Sequence, residues 1–199
     1  MTAPPFKYVA GDPALDLVNT ADWTAAGPRA ERLPDYGRFV GWAEGAGLVP
    51  ADGAARLRRA ARRHPGAAAD TLAAVHRARE VLQRVFTHRA SGDRPAPRDL
   101  AALNRLLSDA LGHLELAPGA WGVVLGWRDI GTELEGPLWP VMWSAARLLA
   151  SNDAGRIRVC GGTDCGWMYV DRSRNGLRRW CEMETCGTRE KNRRRASAR

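Results

Sequence analysis

The placement of its cysteines constrains this chain more than any other feature. Cys160, Cys165, Cys181 and Cys186 all fall within 27 consecutive residues, and the 159 residues before them contain no cysteine. They form two C-x4-C pairs separated by 15 residues. The opening Met1–Lys7 lacks a basic region followed by an apolar stretch, so no secretory signal is read and the cytosol is expected. Disulfides are disfavoured there, and clustered cysteines point instead to metal or catalysis. Zinc favours four thiolates in a tetrahedron, and two short-range pairs brought together by a hairpin supply them at little loop-closure cost. Gly161, Gly162, Gly166 and Gly187 flank the pairs and let backbone amides turn toward sulfur. The pattern predicts one zinc ion. Four sulfur ligands leave no open coordination position, so the expected role is structural rather than hydrolytic. A segment this small is expected to be unfolded without its metal.

Charge follows the cysteines. Between Arg156 and Arg199 twelve Lys/Arg stand against five Asp/Glu, which accounts for seven of the chain's eight net positive charges. Such asymmetry predicts a polyanionic partner, double-stranded DNA first among them. Asp171-Arg172-Ser173-Arg174-Asn175-Gly176 reads as a turn bearing two arginines, and Arg178 and Arg179 precede Trp180. Arg189-Glu190-Lys191-Asn192-Arg193-Arg194-Arg195 reads as a basic helix that Thr188 is placed to N-cap. The nucleic-acid candidates are therefore Arg172, Arg174, Arg178, Arg179, Arg189, Lys191 and Arg193. Phosphate contacts would set the register, and one or two side chains would read bases. A solvated tail is the alternative for Arg193–Arg199, and Trp167 and Trp180 are read as the segment's small core.

The first 150 residues read as mostly helical. Asp35 caps a helix through Trp42 and Ala46 that Gly47 closes, and a second runs from about Asp52 to His64 and stops at Pro65-Gly66. A third, capped by Asp70, carries Leu72, Val75, Arg79, Leu82 and Phe86 at helical spacing, and Asp99 begins a fourth that ends at Gly112. His113–Ala117 and Trp121–Trp127 alternate around Pro118-Gly119 as a β-hairpin, and Pro140 opens a last helix through Leu149. The expected fold is α+β. A mostly helical N-terminal domain with a small β-hairpin occupies 1–150, and a polar hinge follows at 151–155. A small zinc-ribbon-like treble of β-hairpin and short helix then fills 156–199. No window approaches 18 apolar residues, so no membrane span is expected.

Several of these residues together resemble a known family. Cys165-Gly166-Trp167, the Asp171–Gly176 run and Arg179-Trp180-Cys181-Glu182-Met183 followed by Cys186-Gly187 resemble the CGNR zinc finger. Leu15-Asp16-Leu17-Val18-Asn19-Thr20, with the helix near Trp42, resembles the ABATE domain that precedes this finger in bacterial proteins. The resemblance covers nearly the whole chain and implies a stress-responsive transcription regulator, with a sensing domain followed by a DNA-binding finger. Thr188 stands where the family has its namesake asparagine. If that position caps the last helix, threonine substitutes at small cost; if it pairs with adenine, threonine cannot make the same bonds.

Arg79 lies on an apolar helix seam, and a buried arginine needs a partner. Asp16 is the expected internal one. The functional reading is a small polar or anionic effector bound near Asn19, Thr20 and Arg79, with Trp23 or Trp42 as a wall. The sequence shows no nucleophile with a neighbouring base, no phosphate-binding glycine loop and no H-E-x-x-H pair, so no catalysis is expected. The competing reading is a zinc-stabilised protein-interaction module with an incidental basic tail. Oligomeric state is left open, a homo-oligomer included.

Overall fold

The protein is described by a computed structural model that covers residues 5–24 and 27–197. The first four residues of the opening stretch and the last two of the basic tail lie outside it, as do Ala25 and Ala26.

The chain opens with a short helix, α1 (Pro13–Val18). Asp12 caps it by accepting the Ala14 amide at 2.9 Å, and Pro13 occupies the first helical position, where its missing N–H costs nothing. A two-stranded hairpin follows, β1 (Ala21–Thr24) with β2 (Gly27–Glu31). Helix α2 (Tyr36–Gly45) begins at Asp35, whose carboxylate accepts the Arg38 amide at 2.8 Å, as the capping pattern predicts. Helix α3 spans Ala51–Arg63.

The next helix departs from expectation at its start. α4 runs Pro65–Ser91, so Asp70 lies inside it rather than at its cap. Pro65-Gly66, read as a stop, ends α3 and opens α4 at once, because proline fits the first helical turn. Helix α5 (Pro97–Leu111) likewise starts two residues before Asp99. The hairpin β3 (Leu114–Gly119) and β4 (Gly122–Trp127) has Pro118 inside a strand, opposite Val123, and turns at Ala120-Trp121. Gly122 there takes φ 128°, a region closed to other residues. Helix α6 (Trp139–Ala150) completes the N-terminal part.

The basic segment contributes hairpin β5 (Ile157–Val159) and β6 (Met168–Val170), a π turn at Met183–Gly187 and helix α7 (Thr188–Ser197). The fold is α+β. The main core gathers Leu15, Leu17, Phe39, Trp42, Leu57, Leu82, Phe86, Val141 and Met142, and it also takes in Ile157, Met168 and Val170. One face of the β5–β6 hairpin is therefore buried among the N-terminal helices. Its other face, through Tyr169, joins Cys160, Trp167, Cys181 and Cys186 in a small second core. Residues 151–155, expected as a hinge, enter a short 3-10 helix, Asn152–Arg156, that Ser151 caps.

Candidate metal centre and its docking

Each cysteine is placed by a local element. Cys160 continues β5, where its amide donates to the Trp167 carbonyl at 2.8 Å, and Cys165 sits in the loop that returns to β6. Cys181 follows the arginine-bearing loop, and Cys186 lies in the π turn ahead of α7. The four sulfurs lie within 4.8 Å of one another, with Cys165–Cys181 at 3.9 Å and Cys181–Cys186 at 3.6 Å. A tetrahedron with Zn–S of about 2.3 Å has sulfur–sulfur edges of about 3.8 Å, so the cluster is already near its metal-bound dimensions. The Cys181 and Gly162 amides donate to the Cys160 sulfur at 3.2 and 3.4 Å. A Cβ on Gly162 would stand 3.2 Å from the Cys186 Cβ and 3.3 Å from its sulfur, so a side chain there would crowd the cluster.

Four thiols this close cannot all ionise alone. The Cys165 and Cys181 thiols donate to Cys160 and draw it down to about 2, while Cys165, as donor to that thiolate, is pushed up to about 12. Cys181 is pushed up for the same reason. A divalent cation removes the repulsion and deprotonates the set. The four cysteines hold one structural zinc ion.

Around the metal, polar groups fix the loops. Asp171 accepts from the Ser173 amide and hydroxyl and from the Arg178 amide, which folds the Asp171–Gly176 turn around one buried carboxylate. Those donors hold its carboxyl below the usual range. Glu190, buried on the inner face of α7, accepts the Thr163 amide at 2.7 Å and pairs with Arg193, and this brings it down to about 2.

The candidate nucleic-acid residues divide. Arg178 is engaged by the protein. Its guanidinium donates through Nε and Nη2 to the carbonyls of Val9, Trp180 and Cys181 and lies 4.1 Å from the Tyr169 ring centre. Arg172 donates to the Gly11 carbonyl at 2.7 Å and pairs with Asp153. Arg193 is half-committed to Glu190. Arg174, Arg189 and Lys191 are exposed without an ion pair among the described residues, and Arg179 lies over Trp180. Thr188 is helical and its hydroxyl donates back to the Met183 carbonyl at 3.1 Å, so it does not cap α7 by accepting an amide. A cleft of about 260 Å³ beside Cys165 adds residues the sequence did not single out: Lys7, Arg29 and Arg32 line it together with Arg189, Asp22 and Asp164.

The candidate effector residues are occupied by the protein itself. The Asn19 amide donates to the Met168 carbonyl at 2.8 Å and accepts the Met168 N–H at 2.9 Å, pairing with β6 as a neighbouring strand would. Thr20 donates to the Leu17 carbonyl and accepts from Arg79. Arg79 pairs with Glu31 of β2, not with Asp16 as expected. Asp16 instead accepts the Ala10 amide, and burial raises it to about 7. Trp42 is wholly buried, and the Trp23 indole donates to the Val18 carbonyl.

Two family models fit this architecture. One, described as a putative stress-induced transcription regulator and named ABATE, matches residues 11–152. The chain belongs to the ABATE family. The other, the CGNR zinc finger, matches residues 156–199 and contains all four ligands. No curated protein matches the chain. In this ABATE chain, Asn19 of the Leu15–Thr20 motif, with Ala10 and Trp23 on either side of it, forms the seat on which the finger rests. Asn19 holds β6, the Ala10 carbonyl accepts the Val170 amide at 2.8 Å, and the Trp23 carbonyl accepts the Gly166 amide at 2.7 Å. A Cβ on Gly166 would fall 2.8 Å from that of Trp23, so the finger's Cys165-Gly166-Trp167 sequence serves docking as well as zinc. Neither family is an enzyme family, and among the described residues no helix is long and apolar enough to cross a membrane. Where the ABATE part meets the finger, a cavity of about 670 Å³ is lined by Asp12, Trp143, Arg147, Asp153 and Arg172.

Proposed function

We propose that this chain is a zinc-dependent DNA-binding transcription regulator whose N-terminal part senses an effector. The observation that carries the reading is the charge of α7. Its one acidic residue, Glu190, is turned inward and already satisfied, which leaves Arg189, Lys191, Arg194 and Arg195 on the outside without an ion pair among the described residues. Arg174 and Arg179 on the neighbouring loop carry the same charge. These side chains supply phosphate contacts, which set affinity and register rather than sequence preference. Zinc serves by holding loop and helix together.

The effector reading moves with the structure. Asn19, Thr20 and Arg79 are engaged internally, whereas Arg147, near Asp12 on the wall of the 670 Å³ junction cavity, makes no ion pair among the described residues. Arg172, from the finger, lines the same space. A small anion bound there would touch both parts of the chain and bias finger placement, as an effector of DNA affinity must.

Fluorescence anisotropy of the zinc-loaded chain on duplex DNA tests the reading. With four to six phosphate contacts, log Kd should change with log salt at a slope of about 4 to 5, a loss of roughly several hundred-fold from 50 to 200 mM. Arg174→Ala, Arg189→Ala and Lys191→Ala should each lower that slope by about one. Absence of duplex binding, or binding indifferent to salt, refutes the proposal.

A further inference from the structure

The β3–β4 hairpin is the part of the surface least suited to water. Its register places Leu114 opposite Trp127, Leu116 opposite Leu125 and Pro118 opposite Val123, so these six apolar side chains share one face. The base of that face is seated: Trp127 packs against the main core, and His113 beside it stacks on Trp139 with ring centres 3.6 Å apart. The outer half is not. Leu116 is 73% exposed, Val123 69% and Leu125 57%, and Trp121 at the tip is 101% exposed. The opposite face carries Glu115, Ala117 and Val124.

A lone two-stranded hairpin is marginal in water, and apolar patches of this extent on soluble proteins mark interaction sites. We infer that this face is the self-association surface of the protein, packed about a two-fold axis against the same face of a second copy. Three observations select that occupant. The face holds no charged side chain, so a polyanion or a charged peptide gains nothing there. In a chain of net charge +8, most of it carried by residues 156–199, two copies meeting on these six side chains set no charge of one against a charge of the other within the contact. Leu116, Val123 and Leu125 on the face, with Trp121 in the turn at its end, present on the order of 500–600 Å² per chain, against roughly 800 Å² per partner in a stable interface of standard size. That area suits a weak, reversible dimer with a Kd of roughly 1–100 µM. A two-fold contact also needs a patch complementary to itself, which a flat, uncharged, uniformly apolar face is.

Sedimentation equilibrium of the zinc-loaded full chain, from about 1 to 200 µM, is the test, with the concentration range set by the expected affinity. The mass should rise from monomer to dimer and stop there. Leu116→Lys and Leu125→Lys, both on the exposed half, should weaken association at least about 30-fold, because each dimer would bury two lysines. Val124→Lys, on the opposite face of the same strand, should leave it within about threefold. Zinc content and thermal midpoint of the three variants should match the parent, which separates lost association from lost folding. A monomer at 200 µM, growth beyond the dimer, or equal effects of Leu125→Lys and Val124→Lys would overturn the inference. None of these outcomes bears on DNA binding, which the anisotropy titration measures separately.

Discussion

Asn19→Ala separates a docking role for this residue from a ligand-binding one. The side chain makes two hydrogen bonds to one residue, donating to the Met168 carbonyl at 2.8 Å and accepting its N–H at 2.9 Å, and both partners are buried. Alanine would leave a buried N–H and a buried C=O unpaired at about 1–3 kcal/mol each. Partial relaxation and entry of water bring the expected loss to about 2–4 kcal/mol. Urea unfolding of zinc-loaded protein should show that loss as a lower midpoint at unchanged slope. Hydrogen exchange should localise it, with the amides of Met168 and Val170 losing protection while the middle of α4 keeps its relative order. Asn19→Asp should be at least as damaging, because it retains the acceptor but sets a carboxylate against the Met168 carbonyl. Unchanged Met168 protection in the alanine variant, with stability within about 0.5 kcal/mol of the parent, would refute the docking argument.

Other perturbations follow from the same geometry. Cys181→Ser should cost the bound zinc, read as metal per chain after dialysis, and chelation of the parent should unfold the second core around Tyr169 and Trp167. Arg178→Ala removes the donor to three carbonyls and should destabilise the finger by about 2–3 kcal/mol in thermal unfolding, and Arg178→Lys should not restore it, since one ammonium cannot span the three. Asp16 gives a pH signature. Burial raises it to about 7, so between its unfolded value near 4 and that point the folded chain keeps a proton the unfolded chain has released, and stability falls as pH rises through the window. Asp16→Asn should therefore match the parent near pH 4 and exceed it by about 2–3 kcal/mol at pH 8 in urea titrations; a gain that does not depend on pH would contradict the burial argument.

What could be read from the sequence was what is local. The zinc centre needs only two loops and a hairpin, all within 27 residues, and its ligands are evident from spacing. Asp35 caps α2 through a contact three residues away, and the helical periods of α3, α4 and α5 are internal to each element. Proline signals were ambiguous in a physically clear way: Pro65 stops one helix and starts the next, and Pro118 fits a hairpin strand as well as a turn. What escaped notice was what spans distance. Asn19 meets a residue 149 positions away, and Arg79 finds Glu31 on a hairpin too short to announce itself by alternation. The charge of Arg178 shows in the sequence, whereas the three carbonyls it serves do not.

The β5–β6 hairpin belongs to two cores at once, and this bears on how such a finger can be transferred. Cut at residue 155, it would expose Ile157, Met168 and Val170 and leave Met168 without its amide partner. Moved to another protein, it would need a recipient already shaped like Ala10, Asn19 and Trp23. The metal site and its seat thus form a single structural unit, each shaped by the other.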